Sequence, residues 1–441
     1  MSDSAAPTCP ALLVAAPASG QGKTTVTAAL ARYHRNQGRR VQVFKCGPDF
    51  LDPQIHAVAS GRPCYNIDFA MAGEADARWR LARAARENDL ILVEGVMGLH
   101  DGEPSAAELA RRLGLPVLLV LDAAAMAGSF GALAWGLKHY REGAGGGAPI
   151  AAALANRVGS AYHATLCRDS LADSGIAWWG HLPRDRESAL PERHLGLLPA
   201  AEIAHLEQGL EAMAAALGAT PAAALPPPVT FASAPAPEIP PLLAGRTIAV
   251  ARDAAFCFLY PANLDCLEAL GARLVYFSPL ADPALPPCDG VWLPGGYPEL
   301  HASALAANRA MAAALEAHVA AGKPLVAECG GMMSLFATLT TVAGDSTPAF
   351  GLLPGECRMT PRLAALGLLA ADLPEGRLTG HTFHYSQCTT DLPPWRQARR
   401  LGGGEGAGEA LFRRQGLTAS YMHFYFPSQP QAAAGLFFVE G

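Results

Sequence analysis

Two stretches of this 441-residue chain combine residue types at spacings that chemistry on small molecules demands. The first is APASGQGKTT, residues 16–25, which follows an apolar run and opens a helical pattern. That context places small residues where backbone N–H groups must approach phosphate closely. Ser19, Gly20, Gln21, Gly22, Lys23, Thr24 and Thr25 are then expected to cradle ATP, with Lys23 on the β- and γ-phosphates and the Thr24 hydroxyl on Mg²⁺. The usual G-x-x-x-x-G-K-[ST] pattern holds except at its first position, where Pro17 stands. The second stretch is Glu328-Cys329-Gly330-Gly331-Met332, preceded by an apolar run. A strand, a sharp turn and a helix in that order expose a nucleophile at a sheet's edge. A Cys329 thiolate there would gain from the helix N-terminus, and the glycines leave room for substrate and for oxyanion donors. Backbone N–H groups near Gly296, in LPGGYPELH (293–301), and at Gly330 are the candidates for that hole. His423, in TASYMHFYF (418–426), closes an alternating apolar segment and is the candidate base that raises Cys329 nucleophilicity.

Acidic residues gather around the first stretch. KCGPDFLDP (45–53) and VEGVMGLHDG (93–102) each follow an apolar run, so Asp49, Asp52, Glu94 and Asp101 fall beyond the carboxyl ends of strands, where open α/β sheets bind ligands. Carboxylates beside a triphosphate are what Mg²⁺ coordination asks for, which makes Asp52 and Glu94 candidate ligands with Thr24. Asp101 fits a metal site or a helix cap equally well. His381 and His384, in TGHTFHYS (379–386), are candidates for substrate contact and are given neither a proton-transfer nor a metal role.

The elements that must position these residues follow from periodicity. Residues 11–16, 41–44, 90–93, 117–121 and 150–154 are short apolar runs separated by longer helical stretches, the pattern of parallel strands joined by crossover helices. The pattern restarts with strands expected over 247–251, 273–277, 290–293 and 324–327 and helices over 263–271 and 303–321. Between them, eight prolines from Pro221 to Pro241 predict an extended, semi-rigid linker over 219–244. The expected architecture is α/β with two doubly wound domains, 1–218 and 245–441, the first a P-loop-type parallel sheet. The glycine-rich runs at 143–147 and 402–408 read as surface loops.

Composition narrows the partners. Hydrophobic residues make up 51% and charged residues 16%, which excludes a mainly disordered chain. A formal charge of −6 supplies no basic field for nucleic acid, so small-molecule partners are expected. The richest apolar stretch, 113–137, is interrupted by Pro116 and Asp122, so neither a membrane span nor a signal peptide is expected and the cytoplasm is the default location. The ten cysteines lack any C-x-x-C pair, which argues against zinc and against a disulfide framework.

The motifs in this order, with ERHLGL (192–197) and DAAFCFLYPANL (253–264) between the two reactive stretches, resemble the cobyrinate a,c-diamide synthase family: a P-loop domain of the dethiobiotin-synthetase type followed by a flavodoxin-like class I glutamine amidotransferase domain. The resemblance covers nearly the whole chain. It implies a ligase in cobalamin biosynthesis in which Cys329, aided by His423, releases ammonia from glutamine through a thioester. ATP and Mg²⁺ then activate the c and a carboxylates of a corrin acid as acyl phosphates, which ammonia displaces. Asp49 resembles a family residue beside the acceptor carboxylate. A homodimer is compatible with these residues. Three departures stand out: Tyr425 occupies the place of the acid of a His-x-Glu triad, leaving a Cys–His dyad; Ala327 replaces a common glycine; and Phe50 replaces a common tyrosine. Hydrogenobyrinate and nickel sirohydrochlorin are alternative acceptors. A partitioning or regulatory ATPase with a degenerate second domain, or a tetrapyrrole-binding chaperone, are readings of a different class.

Overall fold

Short apolar runs become strands buried on both faces, as a parallel sheet covered by crossover helices requires. The computed structural model describes residues 6–145, 147–184, 192–193, 196–232, 234–402 and 408–438. Parts of the ERHLGL motif and of both glycine-rich runs lie outside the described residues. The chain divides into two units, residues 1–69 with 74–236, and residues 70–73 with 237–441.

In the first unit the strands are β1 (Thr8–Ala15), β2 (Val41–Cys46), β3 (Tyr65–Ile67), β4 (Leu90–Glu94), β5 (Val117–Asp122), β6 (Ile150–Val158) and β7 (Ala177–Pro183). They pair in the order β3-β2-β4-β1-β5-β6-β7, all parallel. Helices α1 (Lys23–Asn36), α2 (Asp52–Ser60), α3 (Gly73–Glu87), α4 (Ala106–Leu113), α5 (Ser129–His139) and α6 (Ala161–Asp169) connect them, and α7 (Leu206–Gly218) follows a two-residue-strand hairpin, β8 (Glu192–Arg193) with β9 (Gly196–Leu197). β1 lies between β4 and β5, so its carboxyl end opens where the chain changes side of the sheet, the usual ligand crevice.

The proline-rich stretch is not extended linker throughout. Thr220 Oγ1 accepts from Ala222 N–H and caps a 3₁₀ turn at Pro221–Ala223, and β10 (Pro228–Thr230) pairs antiparallel with β1. Phe231, only 4% exposed, then joins the core. Proline is tolerated here because the pairing is at an edge, and burying a phenyl ring contributes about 1.5–3 kcal/mol.

The second unit is built on β11 (Thr247–Ala251), α8 (Pro261–Ala269), β12 (Arg273–Phe277), β13 (Gly290–Leu293), α9 (Ala302–Ala307), α10 (Arg309–Ala320), β14 (Leu325–Glu328) and the single turn α11 (Gly330–Met333). The helix expected over 303–321 is two helices: Asn308 breaks it, and its side chain accepts from Met311 N–H to cap α10. There follow β15 (Thr338–Thr340), β16 (Ser346–Pro348), β17 (Glu356–Met359), β18 (Ala365–Leu373), β19 (Gly376–His384), β20 (Ser386–Thr389), β21 (Arg396–Gln397), β22 (Arg399–Arg400), β23 (Ala410–Arg414), β24 (Leu417–Ser420), β25 (His423–Phe424) and α12 (Pro430–Gly435). The main sheet runs β12-β11-β13-β14-β24-β23-β21, parallel as far as β24. Two further four-stranded sheets, β16-β15-β17-β20 and β22-β18-β19-β25, were not expected from periodicity.

No helix among the described residues is long and apolar enough to cross a membrane. No disulfide joins any of the ten cysteines.

One buried histidine makes stability depend on pH. His34, 1% exposed in α1, accepts at Nδ1 from the Arg39 guanidinium, and burial with that neighbouring charge lowers its pKa to about 4. The unfolded residue titrates near ~6.5, so the unfolded chain binds the extra proton between these values. Its stabilising contribution is complete above about 6.5 and is lost as pH falls toward about 4. The melting temperature should therefore drop across that window, and His34→Gln should make the drop shallower. An unchanged slope in the variant would remove His34 from the cause.

Candidate functional site

Two clusters carry the chemistry, one in each unit. In the first, the connection from β1 to α1 needs glycine at Gly22 on two counts: its φ is 97°, and a Cβ there would lie 2.0 Å from Asn156 Nδ2. That amide, at the end of β6, donates to Gln21 O at 2.9 Å, while Gln21 Oε1 accepts from Asp122 N–H at the end of β5. The loop is thus fastened to two neighbouring strands. Lys23 donates from Nζ to Ala18 O at 3.0 Å and to Met97 O at 2.7 Å, so the ammonium lies across the loop mouth. Burial and the Lys45 ammonium both lower its pKa.

Around it, Lys45 Nζ at the end of β2 donates to Glu94 Oε1 at 2.9 Å and to Asp52 Oδ2 at 2.5 Å, with Asp49 Oδ2 at 3.8 Å. Thr24 Oγ1 donates to the same Glu94 oxygen at 2.9 Å, and His56 Nε2 from α2 contacts Glu94 Oε2. Burial alone would push Glu94 up, but Lys45 and His56 outweigh it and hold the carboxyl far below its ordinary value. Asp52 goes the other way, raised by burial more than Lys45 lowers it, with Asp49 and Glu94 adding repulsion. Acidic and basic side chains thus face each other across a cavity of about 370 Å³, lined by Ser19, Gly20, Gly22, Lys23, Thr24 and Thr25, by Lys45, Arg157, Asp49, Asp52 and Glu94, and on its apolar side by Leu182, Met213 and Ala216. Among the described residues no three His, Cys, Asp or Glu side chains form a ready metal cage. Mg²⁺ does not need one, because it keeps water and phosphate ligands and takes only one or two protein oxygens. The donor set fits it: the Thr24 proton is spent on Glu94, which leaves the hydroxyl lone pairs for a cation.

Two expected residues take other positions. Asp101 does not line the cavity; its Oδ2 accepts from Gly98 N–H at 2.9 Å and closes a turn. The Gln21 side chain faces β5 as described, leaving only its backbone on the loop. Asp49 lines the cavity and also accepts from Leu51 N–H (2.8 Å) and Asp52 N–H (3.2 Å), which starts α2. Sequence reasoning missed Lys45, His56 and Asn156. Lys45 opens the very motif that supplied Asp49 and Asp52, so its place at a strand's carboxyl end was a usable signal.

In the second unit Cys329 sits between β14 and α11 with φ 46° and ψ −109°, a left-handed strain that fits the expected sharp turn, but at 4% exposed the residue is buried and not, as expected, exposed at the sheet's edge. Its N–H donates to Ser420 O at 2.7 Å. The expected helix after it is a single turn, so its dipole is small. Burial, with Glu299 nearby, instead pushes the Cys329 thiol far up. The glycines permit close backbone approach: a Cβ on Gly331 would lie 2.1 Å from Leu293 O, and one on Gly330 2.9 Å from Gly296 N. Gly296 and Gly330 are therefore neighbours beside the thiol. Gly331→Ala should lose about 1–3 kcal/mol of stability, read as a lower denaturation midpoint; an unchanged midpoint would mean that the elbow tolerates a side chain there.

His423 in β25 is 1% exposed and stacks on His381, with ring centroids 4.8 Å apart and planes at 16°. Burial, then His381 and His384, hold its pKa well below the ordinary value. His381 Nδ1 and Tyr260 Oη are 3.0 Å apart. His384 is engaged elsewhere, stacked on Tyr421 and 3.0 Å from Glu409 Oε1. Tyr425, two residues after His423, packs edge-on against Tyr260, while a carboxyl does approach the base from another direction: Glu328 Oε2 lies 4.0 Å from His423 Nδ1.

Comparison with known proteins finds a family model matching in each unit. Residues 12–198 match the CobQ/CobB/MinD/ParA nucleotide binding domain, and residues 247–431 match the CobB/CobQ-like glutamine amidotransferase domain. The chain is 58% identical over 429 residues to the hydrogenobyrinate a,c-diamide synthase of Pseudomonas aeruginosa, covering 97% of each chain. It is 57% identical to the protein of that name from Stutzerimonas stutzeri, over 97% of this chain and 98% of the relative. It is 46% identical to the cobyrinate a,c-diamide synthase of Herminiimonas arsenicoxydans, over 97% and 96%. Similar to such relatives along nearly its whole length, the chain belongs to the cobyrinate and hydrogenobyrinate a,c-diamide synthase family of glutamine-dependent amidating ligases.

Proposed function

We propose that this chain amidates the a and c carboxylates of hydrogenobyrinate in cobalamin biosynthesis, with nitrogen released at Cys329 and acid activated at the Lys23 loop. The observation that carries the choice of acceptor is the identity of 58% and 57% to relatives named for hydrogenobyrinate, against 46% to one named for cobyrinate. Cobyrinate is the second reading. Residues 1–218 and 245–441 are the functional halves in this account.

At the second site the starting states leave the proton on sulfur, so its transfer has to accompany attack and not precede it. Burial keeps the thiol protonated and the imidazole neutral, so His423 is able to take the proton as Cys329 Sγ attacks the glutamine amide carbon. The proton passes to the departing ammonia, and backbone N–H groups at Gly296 and Gly330 stabilise the oxyanion. Water then clears the thioester as glutamate.

At the first site Lys23 and the loop N–H groups hold the triphosphate in line with a carboxylate of the acceptor. Mg²⁺, held by Thr24 and by Asp52 or Glu94, would neutralise charge developing on the phosphates. The carboxylate oxygen attacks the γ-phosphorus, ADP leaves, and ammonia displaces phosphate from the acyl phosphate. Lys45 keeps Glu94 and Asp52 in place, and Asp49 serves the acceptor side.

The test is mass spectrometry of product from purified enzyme with MgATP, glutamine and, separately, hydrogenobyrinate, cobyrinate and nickel sirohydrochlorin. Faster diamide formation from hydrogenobyrinate is expected. Preference for either other acid would replace the assigned acceptor.

A further inference from the structure

The histidine of a cysteine–histidine pair works best when a third group fixes its tautomer and ring orientation, and the residue two positions on, Tyr425, supplies no carboxylate. Glu328 does lie beside it. It immediately precedes the nucleophile, is 2% exposed, and brings Oε2 to 4.0 Å from His423 Nδ1. Its other oxygen accepts no hydrogen bond within the described residues. A carboxyl so buried costs stability that an apolar side chain of similar size would not, and such costs concentrate at functional sites.

We propose that Glu328 is a positioning residue for glutamine hydrolysis, accepting a hydrogen bond from His423 Nδ1–H so that Nε2 presents its lone pair to the Cys329 thiol. This rests on the reading of His423 as the base. Catalytic hydrogen bonds are often long before substrate binds and tighten in the complex, which accommodates the 4.0 Å separation. Other groups near the imidazole have contacts of their own. His381 stacks on its face, and His384 repels a developing imidazolium. Glu409 is engaged by His384 and Thr382, and Glu299 acts on Cys329. Burial, the larger influence, raises the Glu328 pKa, while the Phe424 N–H and the Trp292 indole pull it down.

Glu328→Gln keeps the shape and lets an amide N–H₂ face Nδ1, which favours the wrong tautomer. The expected result is a roughly 10- to 10³-fold fall in kcat for glutamine with KM within about twofold, and ammonium-driven synthesis unchanged. Iodoacetamide labelling of Cys329, followed by peptide mass spectrometry, should slow in E328Q and in His423→Ala. Adding E328Q to H423A should slow it no further. Wild-type kcat in E328Q, additive slowing in the double variant, or an equal loss of ammonium-driven synthesis would overturn the proposal. A normal labelling rate in H423A would instead sink the histidine as base, a failure distinct from that of Glu328.

Discussion

Cys329→Ala is expected to abolish amidation driven by glutamine and to leave amidation driven by ammonium salts close to the wild-type rate. The expected loss with glutamine is at least about 10⁴-fold, because no other group forms the thioester once the nucleophile is gone. Alanine keeps the Cβ, so the turn at φ 46° is no worse strained than before. The thiol makes no contribution to the pocket around Lys23, which lies wholly within the first unit. Two assays on one preparation, glutamate release and acceptor mass with each nitrogen source, check the outcome. Loss of both activities would contradict separate sites, and survival of glutamine use would move the nucleophile elsewhere.

Lys23→Ala should have the complementary effect: amidation falls by at least about 10²–10³-fold with either nitrogen source, while glutaminase activity persists in part. In the proposed reading, the ammonium now held by Ala18 O and Met97 O is the group that meets the γ-phosphate charge. Removing it also deprives those two carbonyls of their donor, so nucleotide binding should weaken along with kcat. ATP hydrolysis and acceptor mass are the readouts. Full amidation by the variant would show that the loop does not hold the triphosphate.

Three of the residues named from the sequence share a physical property: each follows a strand at a turn whose glycines leave a local signature. Lys23, Thr24 and Cys329 were legible for that reason, and so were the parallel strands, whose continuous apolar runs have no other use. The helix over 303–321 was half legible, since nothing but the capping side chain of Asn308 distinguishes one helix from two. The two small sheets escaped notice because their strands are half-exposed and interrupted; β18, for example, alternates only in part. His56 and Asn156 were invisible because their meaning lies in long-range contacts, to Glu94 and to the Gly22 turn. Asp101 shows the converse error, a carboxylate at the right end of a strand that is consumed by its own turn. Glu328 was read as part of a motif and not as chemistry, because the search for a third residue looked two positions after the histidine, whereas the fold brings the carboxyl from the neighbouring β14.

The central claim is that nitrogen is liberated by a thiol in one unit and installed by a nucleotide site in the other. It is tested most directly by giving the purified enzyme MgATP, hydrogenobyrinate, unlabelled ammonium at low concentration, and glutamine carrying heavy nitrogen in its side-chain amide. The account predicts a diamide in which both new amides carry the heavy label. An unchanged acid, or a diamide carrying only unlabelled nitrogen, would contradict it.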